Sequence, residues 1–143
     1  MPKWIESQFP FARLSKIAEQ ESWRKEVYRP VYYIHKWWAR RLGTVFRGII
    51  LGSCLDERED FWQRYYGSND FRQISLFDPF MGSGVTIGEA VKLGCRSMGR
   101  DINPVAVTAC QAAFSCYDYR EIDAAYRAIE STVAPKLLKL FET

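Results

Sequence analysis

The sequence predicts an α/β chain: the first strand-helix-strand unit of a parallel sheet, preceded by a helical, aromatic segment. Three observations predict it. A short apolar run, Ile74-Ser75-Leu76-Phe77-Asp78, precedes a glycine turn, Gly82-Ser83-Gly84. A helical stretch from Gly84 to Leu93 follows, and Gly94 stands where a helix takes the left-handed conformation that ends it. A second extended run, Cys95 to Asp101, then closes the unit and should lie parallel to the first.

The other elements follow in chain order. Leu14 to Lys25 reads as a short helix with Ser15 near its start, broken at Arg29-Pro30 because the residue before a proline is pushed out of the helical region. Tyr32 to Trp38 reads as extended or irregular and is unusually aromatic. From Ala39 to Leu51 the residues Leu42, Val45, Phe46, Ile49 and Ile50 form an inward helical stripe, with Arg40, Arg41 and Arg47 on the other sides. Asp56 to Asn69 is charged and aromatic and ends in a turn signal, Gly67-Ser68-Asn69. Within the central helix Ile87, Ala90 and Val91 should face inward. Pro104 to Cys116 is a small-residue helix with proline in its first turn. A last helix, Arg120 to Phe141, puts Ile122, Tyr126, Ile129, Val133 and Leu137 on one face. The expected division is a front segment over 1–70 and a half-domain over 71–143.

Composition narrows the class. The 143 residues amount to one modest domain or part of a larger one. With 48% hydrophobic and 26% charged residues, the chain is neither disordered nor repetitive. No apolar run approaches the roughly 20 residues that cross a bilayer. The N-terminal stretch MPKWIESQFPF lacks the apolar centre of a signal peptide, so the expected compartment is the cytoplasm, with no membrane partner. Cys54, Cys95, Cys110 and Cys116 form no C-x-x-C pair and are expected as reduced, mostly buried thiols, with no metal site. Charge is uneven: between Val27 and Leu55 stand Arg29, Lys36, Arg40, Arg41 and Arg47 and no acidic residue. That basic stretch can contact DNA phosphates or simply be solvated.

The chemistry concentrates in residues 77–104, FDPFMGSGVTIGEAVKLGCRSMGRDINP. Asp101 follows Gly82 by 19 positions, near the roughly 20 at which a carboxylate meets the ribose hydroxyls of a bound nucleotide. The glycines permit a tight turn and let the backbone approach a ligand closely. The third glycine is Gly88, giving G-x-G-x-x-x-G in place of the dinucleotide fingerprint, and no lysine follows either glycine as a phosphate loop requires. Asp78, just before the turn, repels a pyrophosphate and suits a ligand carrying an ammonium or sulfonium. S-adenosyl-L-methionine carries both, with a ribose for Asp101 and an adenine to lie against Ile102.

DPFMGSGVT, residues 78–86, resembles the cofactor motif of the amino-methyltransferases that methylate exocyclic amines of adenine or cytosine in DNA. GRDINP, residues 99–104, is similar to the acidic second motif of the same family, and IHKWWARR, residues 34–41, resembles the segment upstream of the cofactor motif in an adenine-specific prokaryotic branch. The resemblance implies a partial Rossmann-like methyltransferase fold. It implies that Asp78 and the loop of Phe80, Met81, Gly82, Ser83 and Gly84 hold the methionine portion of S-adenosyl-L-methionine, with Pro79 and Thr86 also among the cofactor-binding residues. Asp101 would then hold the ribose, and Ile102, Asn103 and Pro104 would shape the adenine pocket. His35, Lys36, Trp37 and Arg40 become candidates for the methionine end, where a cation can pair with the cofactor's carboxylate.

The family's catalytic tetrapeptide, an Asp, Asn or Ser followed by Pro-Pro and an aromatic residue, is absent: none of the six prolines is adjacent to another. Asp78-Pro79-Phe80 lacks the second proline, so no catalytic residue is assigned. Two strands also make an incomplete sheet with open edges. The expected partner is a second polypeptide carrying the remaining sheet and the catalytic motif, with DNA engaged through the complex. The expectation is therefore the cofactor-binding portion of a split or fragmentary DNA amino-methyltransferase, with adenine N6 favoured as acceptor. Its rivals are a non-catalytic regulatory or scaffold module of a DNA-modification or defence complex, and methylation of RNA or protein. Plainer roles stand beside these: Asn103 as a helix cap, His35 as a packed histidine, and Trp37 or Trp38 as core.

Overall fold

A computed structural model describes residues 1–23 and 33–141. Among the described residues nine elements follow one another: α1 (Trp4–Ser7), α2 (Phe11–Trp23), α3 (Gly43–Cys54), α4 (Phe61–Tyr66), β1 (Ser75–Asp78), α5 (Val85–Lys92), β2 (Arg96–Gly99), α6 (Pro104–Phe114) and α7 (Tyr119–Leu138). The expected break at Arg29-Pro30 and the end of the first predicted helix lie outside the described residues. That helix begins earlier than expected, at Phe11, and buries Leu14, Ala18 and Glu21 on one side.

Strands β1 and β2 pair in parallel, Ser75 opposite Arg96 through Asp78 opposite Gly99, as the strand-helix-strand reading requires. They are the two strands of the sheet. Gly94 ends α5 at φ +82°, and a Cβ there would stand 3.1 Å from the Phe71 nitrogen, so the turn needs glycine on both conformational and steric grounds. Helix α6 opens on Asn103, whose side chain accepts the Val105 N–H at 2.9 Å, and α7 opens on Asp118, which accepts the Arg120 N–H at 2.8 Å. Asp60 caps α4 in the same way through Trp62 and Gln63. Helices α1 and α4 were not legible in the charged, aromatic stretches that hold them.

One core joins the front of the chain to the strand-helix-strand unit: Leu14 of α2, Ile50 and Leu51 of α3, Phe61 and Tyr65 of α4, and Ala90 and Leu93 at α5. Two inward-facing expectations are corrected here. Of the stripe expected on α3, Ile50 is buried but Ile49 is 36% exposed, and Val45 and Phe46 are only half-buried. Helix α3 instead turns Gly48 and Gly52 inward, because these glycines allow closest approach: a Cβ on Gly48 would meet Leu14 at 2.7 Å, and one on Gly52 would meet Phe9 at 2.9 Å. Arg47 is likewise not on an outer side. Its guanidinium donates to the Tyr65 carbonyl at 2.7 Å and lies 3.6 Å from the buried Glu89 carboxylate of α5. In α5, Ile87 and Ala90 are buried as expected, but Val91 is half exposed because α3 packs against the Ala90 side.

Two apolar faces are left open among the described residues. Phe77 and Met98, directly opposite each other in the sheet, are 57% and 67% exposed. On α7 the whole predicted stripe, Ile122, Tyr126, Ile129, Val133 and Leu137, is exposed. No described helix is long and apolar enough to cross a membrane.

Candidate functional site

The site grows out of the ends of the two parallel strands. Strand β1 ends at Asp78, whose carboxylate accepts the Phe80 N–H at 3.0 Å and so starts the loop with a tight turn. The loop is laced to the end of β2: Arg100 N–H donates to the Asp78 carbonyl at 2.9 Å and Met81 N–H to the Arg100 carbonyl at 3.0 Å. Gly82 and Gly84 then take φ of +51° and +78°, the left-handed region that an L side chain resists. The space is also taken. A Cβ on Gly82 would stand 3.2 Å from Trp37 Nε1, and one on Gly84 would stand 2.6 Å from Cys110 Sγ and 3.1 Å from the Phe114 ring.

Asp101 organises this loop. One carboxylate oxygen accepts the Gly82 N–H at 2.8 Å and the other accepts the Asn103 N–H at 2.8 Å. Those bonds, Asn103's first and Gly82's second, hold its carboxyl below the ordinary carboxylate range, so Asp101 is an anion at neutral pH. An ionised carboxylate has about four lone-pair positions, more than the backbone N–H groups of Asn103, Gly82 and Ile102 occupy, so it keeps acceptor capacity for a ligand hydroxyl. Asn103 spends its side-chain oxygen on the α6 cap. Ile102 between them is fully exposed, offering an apolar surface beside the carboxylate.

The remaining candidates divide. Met81 tucks its sulfur over Gly99, Ser83 and Thr86 are half-buried, and Pro79 and Phe80 are exposed at the loop's outer side. Trp37 lies on the loop itself, against Gly82. His35, with Ile34, faces Pro104, Val105, Thr108, Ala109 and Ala112 across an apolar groove of about 370 Å³. The Lys36 ammonium sits 4.2 Å from the ring centre of Trp38, which is 89% exposed. Arg40 is engaged elsewhere, 3.8 Å from the buried carboxylate of Glu21 and 4.6 Å from the centre of the Tyr33 ring. Sequence reasoning missed Cys110 and Phe114, which form the floor beneath Gly84. Nothing in a small-residue helix announces which of its residues will meet a loop so far back in the chain. Burial, with the negative charges of Asp101 and Asp78 behind it, pushes the Cys110 thiol up, so it stays protonated and donates to the Gly82 carbonyl at 3.6 Å.

The chain is 31% identical over 64 residues to the Type II methyltransferase M.MjaII of Methanocaldococcus jannaschii, a match that covers 45% of this chain and 11% of that protein. The chain thus spans about a tenth of the length of this relative. No family model and no solved structure matches it. The sequence relationship is to a methyltransferase, and a small parallel sheet among helices is compatible with part of an α/β methyltransferase fold.

Proposed function

We propose that this chain is the cofactor-binding portion of an S-adenosyl-L-methionine-dependent DNA methyltransferase acting on an exocyclic base amine, with adenine N6 the favoured acceptor. The observation that carries the reading is the Gly82–Asp101 bond: it sets an anion with spare acceptor positions beside a left-handed glycine loop at the ends of two parallel strands. The residues fit this cofactor. Asp101 accepts its ribose hydroxyls, Ile102 and Asn103 flank its adenine, and the loop from Asp78 to Gly84, with Thr86, borders its methionine portion. Trp37 covers the loop, while His35 and Lys36 approach from the upstream segment. When bound, S-adenosyl-L-methionine supplies a methyl group on a positively charged sulfur, which Asp78 and Asp101 favour electrostatically.

This chain's part is to bind and orient. The groups that receive the target amine belong to a second polypeptide, which also completes the sheet over Phe77 and Met98 and carries DNA with the base turned out of the stack. Purification of the tagged chain from its native host, with mass spectrometry of what accompanies it, tests this. Recovery of a polypeptide bearing a Pro-Pro-aromatic motif, in a complex that methylates DNA, is the expected result. A folded, monomeric chain that takes up no S-adenosyl-L-methionine in calorimetry refutes it. The absence of Pro-Pro favours one second reading, a regulatory or scaffold module of a DNA-modification complex. That module assembles with the same partners and leaves S-adenosyl-L-methionine unbound.

A further inference from the structure

We propose that Arg40 is a positioning residue: clasped between Glu21 and Tyr33, it closes segment 33–40 on itself and so holds the Trp37 indole over Gly82. Its effect on cofactor affinity rests on the reading above, whereas the clasp rests on geometry alone.

Segment 33–40 contains neither helix nor strand. Its internal backbone bond is the turn in which Arg40 N–H donates to the Trp37 carbonyl at 3.3 Å. Arg40 reaches back over this stretch: its guanidinium lies 4.6 Å from the centre of the Tyr33 ring. The same guanidinium reaches Glu21 at 3.8 Å, with the Arg40 side chain only 12% exposed.

Glu21 is a fixed anchor. Its carboxylate accepts Gly43 N–H at 3.0 Å, Thr44 N–H at 3.0 Å and the Thr44 hydroxyl at 2.7 Å. It caps α3, whose own N-cap residue, Leu42, has no side chain able to do so. The clasp therefore ties the segment to two helices at once. Arginine suits this post because a planar guanidinium can lie on a ring and face a carboxylate together, whereas an ammonium is a point charge. Arg40 Nη1 is buried with no hydrogen-bond partner among the described residues, and the Glu21 carboxylate stands 3.8 Å from the same guanidinium as a neighbouring anion. Held in this way, Trp37 presses its Nε1 edge against Gly82, whose N–H is bonded to Asp101.

The test compares Arg40→Met, Arg40→Lys and Tyr33→Leu in the chain purified with any polypeptide that accompanies it. Acrylamide quenching of Trp37 is read as the difference from Trp37→Phe, and S-adenosyl-L-methionine is titrated by calorimetry. Freeing Trp37 should raise its quenching in Arg40→Met and in Tyr33→Leu. Loss of this preordering should weaken S-adenosyl-L-methionine binding about three- to tenfold. Arg40→Lys should recover only part of both. A residue that serves stability alone would lower the melting midpoint and leave Trp37 quenching as it was. Unchanged quenching in a folded Arg40→Met protein overturns the clasp. Tyr33→Leu, at the clasp's outer end, decides the same question should Arg40→Met not fold. If the unaltered protein binds no S-adenosyl-L-methionine, the cofactor reading falls while quenching still decides the clasp.

Discussion

Substituting Gly84 by alanine tests the loop where its demands are most explicit. Two separate penalties meet at this residue. Its backbone sits at φ +78°, where an alanine costs about 1–2 kcal/mol relative to the right-handed region. Its new Cβ would stand 2.6 Å from Cys110 Sγ and 3.1 Å from the Phe114 ring, an overpacking that costs about 1–3 kcal/mol as α6 is pushed away. Together Gly84→Ala should lose about 2–5 kcal/mol, read by urea unfolding with accompanying polypeptides held at one concentration. The second term can be isolated. Cys110→Ala removes the sulfur that the new Cβ meets, so the double variant should lose less than the sum of the two singles, by about 1–2 kcal/mol. The backbone term should remain, since no change in α6 alters φ. Strict additivity would refute the contact between Gly84 and Cys110. A neutral Gly84→Ala would refute the left-handed turn itself.

Asp101→Asn places an N–H donor against one of two backbone donors and should weaken S-adenosyl-L-methionine binding roughly tenfold to a hundredfold in calorimetry, an unchanged affinity removing Asp101 from the site. Because the folded carboxyl lies below its ordinary range, the Gly82 bond is fully present above that range and is lost only as pH falls beneath it; the Gly82 amide shift, followed by NMR, should hold through the ordinary carboxylate range. Arg47→Ala strips Glu89 of one of its cations and the Tyr65 carbonyl of its donor, and should cost about 2–4 kcal/mol in urea unfolding. Phe77→Ser with Met98→Ser should make the isolated chain less prone to associate in light scattering and should reduce recovery of any accompanying polypeptide.

What the sequence by itself determined is the set of features that a single residue's own backbone or neighbours impose. Gly82, Gly84 and Gly94 stand at positive φ because other residues resist it, and Asn103 sits where helix α6 begins because a short polar side chain reaches the first free N–H groups. The order strand, glycine loop, helix, strand and acid was legible for the same reason, whereas the bond by which Asp101 accepts the Gly82 N–H was not. Only the tertiary structure decided which faces are covered. In α3 the more apolar side yields to Gly48 and Gly52, because burial follows closest approach to α1 and α2 and not hydrophobicity alone. Arg40 and Arg47 were expected on the outer sides of a helix, with Arg40 also a candidate for the methionine end, and Glu21 was assigned no role, since a chain written in one dimension does not display a partner on another helix; yet they clasp, pair and cap in the interior. The stripe on α7 was plain from its spacing and is nonetheless exposed, for periodicity specifies that an apolar face exists while only a packed neighbour buries it.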